Sequence, residues 1–177
     1  MSIVEKSETR LSQAHHFAAT TGKPDALVSL IESLRDEPDA ALEACCALAA
    51  SVCECEMSLV SLVDGTTQCI VANRGLSLKE LPQKGTLCDQ VVHDPRLHEI
   101  PDITITDGYD KNALFIQFPT LQYYAAAPLL VDGQVIGAFS VLNTESRRLR
   151  PEQKEKLNQL GLMASGLLEK RSAQLRS

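Results

Sequence analysis

The segment that most restricts the fold is QYYAAAPLLVDGQVIGAFSVLN, Gln122 to Asn143. Two apolar runs rich in strand-forming residues flank Asp132-Gly133. That dipeptide between such runs marks a two-residue hairpin, whose turn positions need positive φ. The two strands must then pair antiparallel. Gly137 falls inside the second strand, where a missing side chain marks a bulge or a close backbone approach.

The rest of the chain supplies a second hairpin and several helices. MSLVSLVD (Met57 to Asp64) and QCIVANR (Gln68 to Arg74) are joined through Asp64-Gly65. Met57, Leu59 and Val63 face one way in the first of these strands, and Val60 and Leu62 the other. A strand apolar on both faces is central, with cover on each side. Before it, two helices are split at Pro38. Leu27, Leu30, Ile31 and Leu34 repeat at helical spacing in the first. Asp39 opens the second, where Leu42, Cys45, Cys46, Ala49 and Cys53 form one apolar stripe. A polar stretch up to Thr20 reads as a further helix. GTLCDQVVHD reads as a short helix, with Thr86 and Asp89 as a capping box. From Asp94 to Leu121 the chain is loop-like, with a short strand in HEIPDITI. Loops of that length in a compact domain are often functional. A long helix closes the chain. Pro151 sits in its first turn, and Leu157, Leu160, Ala164, Leu167, Leu168 and Leu175 form its stripe. The element order gives an α+β fold: an antiparallel sheet with terminal helices on one face, and the short helix and long loop on the other.

At 177 residues the chain suits one domain with terminal additions. A net charge of −6 argues against nucleic acid as a partner, since phosphate binding needs a clustered positive surface. Arg147, Arg148, Arg150, Lys154 and Lys156 do gather, but Glu145, Glu152 and Glu155 interrupt them, as in a solvated helix start. The N-terminal MSIVEKSETR lacks a signal-peptide core, and no run approaches the roughly 20 apolar residues that span a bilayer. No membrane role and a cytoplasmic location with reduced thiols are therefore expected.

Between Leu42 and Arg171 the wording resembles the GAF domain family. The residues that carry this are Tyr124, Ala125, Ala127-Pro128-Leu129, Gly133, Ile136-Gly137 and Pro151 to Leu157. The TDGYDKNALF segment is similar to the family's Asp…Phe…Asn loop through Asp107, Tyr109 and Asn112, and Cys88 resembles a cysteine that opens the short helix in one subgroup. The resemblance implies a GAF-like sheet of five or six strands with terminal helices on one face. It divides the chain into a helical extension (1–38), a GAF domain (39–172) and a tail (173–177). It also implies a sensor or regulatory module in signal transduction that binds a small molecule, pairs as a homodimer through its terminal helices or acts on a signalling partner. It names no ligand and no cofactor, and the rival readings are a thiol-dependent reductase using Cys88 and an interaction scaffold whose pocket is filled by its own side chains. The ligand contacts it suggests are Cys88, Asp107, Tyr109, Asn112, Tyr123 and Tyr124.

Each chemical candidate has a plainer reading beside it. Zinc needs four converging ligands, usually as two separated pairs. Cys45 and Cys46 are adjacent and point about 100° apart on a helix, and His15 and His16 are remote. These cysteines read as small core residues, as does Cys55. Cys88 reads as a structural or pocket-lining thiol, although its place near a helix start would favour thiolate. That places it beside the thiol chemistry of the GAF-type free methionine-R-sulfoxide reductases, but no resolving cysteine follows before Pro128. Bilin attachment in the family uses a Cys-His pair, which is absent here. His93 reads as a helix-end cap or surface histidine, with haem ligation as its alternative, and His98 is likewise a surface or capping residue. Asp102, Asp107, Asp110 and Asn112 do not follow a calcium-loop spacing and suit turns on their own account.

Overall fold

The hairpin at Asp132-Gly133 forms the centre of the computed structural model, which describes residues 24–108 and 112–177. Strands β5 (Tyr123–Val131) and β6 (Gln134–Asn143) meet in a turn where Asp132 has φ 51° and Gly133 φ 77°. The positive φ at both positions matches the right-handed twist of the strands they join. β6 also pairs antiparallel with β1 (Met57–Val63), which pairs with β2 (Thr67–Arg74). Two three-residue strands, β3 (Glu80–Pro82) and β4 (His98–Ile100), close the edges. The antiparallel sheet has the order β3-β2-β1-β6-β5-β4. Asp64 holds the other hairpin: its carboxylate accepts from the Thr66 and Thr67 backbone amides at 2.9 and 2.8 Å.

One face of the sheet carries α1 (Pro24–Asp36), α2 (Ala40–Val52) and the closing helix α5 (Pro151–Arg176). Asp39 caps α2 by accepting from Ala41 and Leu42 amides. Leu30, Ile31, Leu34, Leu42, Cys45, Cys46, Ala49 and Cys53 are buried against Val60, Leu62, Phe139 and Val141. Two small residues let α5 lie close to β5: a Cβ at Gly161 would meet the Ala127 Cβ at 3.3 Å, and Ser165 Oγ accepts from the Leu130 amide at 3.0 Å. Leu157, Leu160, Ala164 and Leu168 are buried as the stripe predicts, Leu167 is half-buried, and Leu175, in the last turn, is exposed.

The opposite face carries α3 (Leu87–His93), a 3₁₀ turn (Ile103–Ile105) and α4 (Ala113–Gln117). Met57, Leu59, Ile70, Cys88, Val91, Phe115, Tyr124 and Leu142 form a second buried cluster there. The stretch after Asp94 is therefore less of a loop than its prolines suggest. The expected capping box at α3 is half present. Thr86 Oγ1 accepts from the Asp89 amide at 3.2 Å, while the Asp89 carboxylate accepts from Gln83 Nε2 at 3.0 Å instead of reaching back. The expected helix before Thr20, with His15 and His16, lies outside the described residues.

Arg171 ties the two ends of the described chain together. Its Nε donates to Ser33 Oγ at 2.8 Å, and its Nη2 donates to the Ser33 and Glu37 carbonyls at 3.1 and 2.8 Å. These carbonyls lie at the end of α1, where the Ser33 oxygen also accepts the last helical bond from the Glu37 amide at 3.0 Å and the Glu37 oxygen is past the helix. Replacing Arg171 by Ala should cost about 2 kcal/mol, the range for hydrogen bonds to a charged group. Thermal unfolding should then start about 4–8 °C lower. Arg171→Lys should recover little, since an ammonium does not span the same three acceptors. A melting temperature within 1 °C of the parent, about a quarter of the smallest expected drop, would show the contact to be incidental.

Candidate functional site

A cleft of about 430 Å³ opens on the loop side of the sheet. Its walls are the 3₁₀ turn and the residues after it (Ile103 to Gly108) and, facing them, Phe115, Pro119 and Leu121. Ile103, Phe115 and Leu121 are buried members of the loop-side cluster and give the cleft an apolar wall. Thr104, Ile105, Asp107 and Gly108 are exposed around it. The wall owes its shape to two local caps. Asp102 accepts from the Thr104 amide at 2.9 Å and opens the 3₁₀ turn. Asn112 accepts from the Leu114 amide at 3.0 Å and opens α4, while its Nδ2 donates to the Gly85 carbonyl at 2.8 Å.

The residues named from sequence separate into distinct places. Asp107 lies on the cleft wall. Asn112 is 4% exposed and engaged in the cap just described. Tyr124 is buried in the loop-side cluster, and its hydroxyl accepts from Ser140 Oγ at 3.0 Å. Tyr109 and Asp110 lie outside the described residues. Tyr123 is on the other face of the sheet, because adjacent strand residues alternate. Its hydroxyl donates to Glu99 Oε2 at 2.8 Å, and burial with that carboxylate beside it pushes the phenol pKa up. The structure therefore does not bring Tyr123 together with Tyr124 and Asp107. The cleft residues Ile103, Thr104, Thr106, Phe115 and Leu121 were not singled out from sequence. The apolar alternation in ITIT was the one signal available for the first wall.

Of the two readings of Cys88, a structural or pocket-lining thiol and one poised as thiolate, its surroundings favour the first. It is 1% exposed beneath α3, and burial, with Asp89 adding repulsion, raises its pKa above that of a free cysteine. Desolvation outweighs a seven-residue helix's dipole here. The other five cysteines all lie in the helix-side cluster, so the sheet separates them from Cys88. Among the described residues no group of three or more His, Cys, Asp or Glu side chains is arranged to hold a metal. A ring nitrogen of His93 lies 2.7 Å from the Asp89 carbonyl, and one of His98 lies 2.8 Å from the Asp94 carbonyl, so both act locally at the end of α3.

A polar junction links the cleft wall to α5. The Pro101 carbonyl, two residues before the 3₁₀ turn, accepts from the Arg147 amide at 3.1 Å. Glu99 on β4 accepts from Tyr123 and from the Leu149 amide, each at 2.8 Å, and pairs with Lys154 of α5 at 3.3 Å. Arg147 in turn donates to the Glu54 carbonyl at the end of α2. Edge strand, linker and two helices on the far face thus share one set of hydrogen bonds.

Comparison with known proteins bears on this arrangement. A cyclic di-GMP phosphodiesterase from Pseudomonas aeruginosa is 26% identical over 123 residues, which is 69% of this chain and 21% of that protein. The chain thus spans about a fifth of the curated relative it matches. The type II free methionine-R-sulfoxide reductase from Thermoplasma acidophilum superposes with a TM-score of 0.64 at 16% identity, covering 80% of this chain and 96% of that one. The GAF domain of PixJ from Thermosynechococcus elongatus, in its blue-light absorbing form, gives 0.65 at 15% identity over 81% and 92%. Those two structures share the fold. Among the described residues no helix is long and apolar enough to cross a membrane. The profile of the GAF domain matches residues 37–168, most of the chain, and with the six-stranded sheet and its helical cover this shows that the chain belongs to the GAF domain family.

Proposed function

We propose that the chain is a non-enzymatic, small-molecule-binding regulatory module that works through a signalling partner or a second copy of itself. The observation that carries this is the cleft between Ile103–Gly108 and Phe115–Leu121: an apolar wall with a few polar groups at its rim, large enough for a metabolite. Asp107 and the two threonines at the rim orient the polar end of such a ligand. The junction from Pro101 and Glu99 to Arg147 and Lys154 gives the cleft a mechanical route to α5. Ordering of the 3₁₀ segment by a ligand shifts that junction and with it the helix layer. Cys88 supports the non-enzymatic reading. A buried thiol with a raised pKa, separated by the sheet from every other cysteine, is a poor nucleophile.

A thermal-shift screen of metabolites tests the reading. A compound at 100 times its dissociation constant should add about 2.7 kcal/mol, or about 5–10 °C. Ile105→Lys and Asp107→Lys place charge at exposed cleft positions and should abolish that shift with the unliganded melting temperature kept within 1–2 °C, as expected of surface changes within about 0.5 kcal/mol. A hit whose shift survives both substitutions places the ligand elsewhere. Methionine sulfoxide reduction that is lost in Cys88→Ser would replace the regulatory reading with an enzymatic one.

A further inference from the structure

The outward face of α5 carries its own complement. Leu162 and Met163, halfway along the helix, are 65% and 57% exposed. Leu48 of the neighbouring α2 is also exposed, at 49%. On either side of the Leu162-Met163 pair the exposed positions repeat at helical spacing: Gln159, then Glu155 and Lys156, towards the N-terminus; Gly166, then Glu169 and Lys170, towards the C-terminus. All of them fall on one stripe of the helix.

We propose that this stripe is the contact between two copies of the chain, with their α5 helices crossing antiparallel about a two-fold axis between Leu162 and Met163. The inference rests on the dimer reading above and adds its orientation and register. A two-fold axis there makes the contact isologous. It sets Leu162 against the partner's Met163 and Gln159 against the partner's Gly166. Glu155 then meets the partner's Lys170, and Lys156 meets the partner's Glu169. These four charged positions each find the opposite sign, twice over by symmetry, while Glu152, one turn further out on the same stripe, faces the partner's Ala173 and Glu169 also accepts from the Asp132 amide of its own chain at 3.2 Å. A parallel pairing would instead set each residue beside its own equivalent, so that Glu155 meets glutamate and Lys156 meets lysine. Gly166 fits the antiparallel case as well. A Cβ built there meets nothing within 4 Å in the single chain, and mid-helix glycine is intrinsically unfavourable. A glycine at that place gives the longer Gln159 side chain room to lie across the helix.

Charge exchange tests the register in the full chain, read by sedimentation equilibrium at low salt with far-UV circular dichroism as a check on folding. The double substitution Glu155→Lys/Lys156→Glu turns four attractive pairs into repulsive ones and should weaken dimerisation by about tenfold or more. Adding Glu169→Lys/Lys170→Glu restores opposite signs at every pair and should bring the dimer back to within about threefold of the parent. Leu162→Lys/Met163→Lys should leave only monomer. A parent chain that is monomeric at about 100 μM overturns the dimer reading and the register together. A dimer that the double exchange leaves intact, or that the fourfold exchange fails to restore while folding is kept, overturns the register and leaves the dimer standing. A dimer that survives Leu162→Lys/Met163→Lys moves the contact off this face.

Discussion

Raising the pH above about 9 should unfold this protein in a single cooperative step, with its midpoint between about pH 10 and 11. The cause is the set of buried thiols. Burial pushes Cys46 and Cys55 up to about 12 and Cys53 up to about 11, from an ordinary value of 9.0. It raises Cys88 as well. In each case desolvation is the leading cause, since the thiolate would be charged in an apolar interior. A group whose folded pKa is raised keeps its proton after the unfolded chain has lost it. Its contribution is complete below the unfolded pKa and is lost as the pH climbs toward the folded value. Each such thiol costs about 1.4 kcal/mol per pH unit in that window, so these four together remove roughly 5 kcal/mol per unit. A domain of this size has only about 5–15 kcal/mol in all. Cys45, Cys69 and Tyr123 shift in the same direction and steepen the fall. Thiolate absorbance and helical ellipticity, followed together from pH 8 to 12, should change in one coincident transition. Thiolate that appears gradually from pH 8.5 while the helix signal persists at pH 11 would mean that the cysteines reach solvent without unfolding.

That prediction also shows what was legible from sequence. The stripe Leu42, Cys45, Cys46, Ala49, Cys53 announced core packing because a 13-residue helix is long enough for its period to be read. The two hairpins were legible for a related reason: Asp-Gly fixes a turn locally, whatever the rest of the chain does. β3 and α4 were not. They have three and five residues, too few to display any period, and their form is set by neighbours. α4 exists because Asn112 can cap it while also holding the Gly85 carbonyl, a contact made across 27 positions.

The candidate site was less legible than the fold because it depends on depth. YYAAAPLLV is apolar throughout, so no alternation of polarity says which face of the sheet each residue takes. Parity alone still separates Tyr123 from Tyr124, and that signal was present in the sequence. Cys88 was open to two readings for a different reason. Its helix position argues for thiolate, but the decisive term is the cover of α3 over β6, where the thiol lies by the Ala138 backbone. Burial of that kind is a property of the assembled layers. The cleft wall is likewise a meeting of two segments, around Ile103 and Phe115, that share no motif.

Gly137→Ala should be the most damaging conservative change in the chain, costing at least about 3 kcal/mol, the upper end for inserting a methyl into packed structure. A Cβ at this position would sit 1.9 Å from the Ser61 carbonyl oxygen, 2.9 Å from its carbon and 3.0 Å from the Leu62 Cα. All three are backbone atoms, so no side-chain rotation relieves the contact. Nor can the strands part. Leu62 lies opposite Gly137 in the register, β1 is held on its other side by β2, and β6 is held on its other side by β5. Relief would have to open the centre of the sheet and the clusters on both of its faces. Gly166→Ala, compared at protein concentrations that leave the chain monomeric, is the matched control, because in the single chain it adds the same methyl where nothing lies within 4 Å and the helix gains about 0.5–1 kcal/mol from losing a glycine. In guanidinium unfolding the two substitutions should move the midpoint in opposite directions. A Gly137→Ala protein within 1 kcal/mol of the parent would mean that β1 and β6 are not held as close as the register requires, and the central pairing on which both faces are built would have to be redrawn.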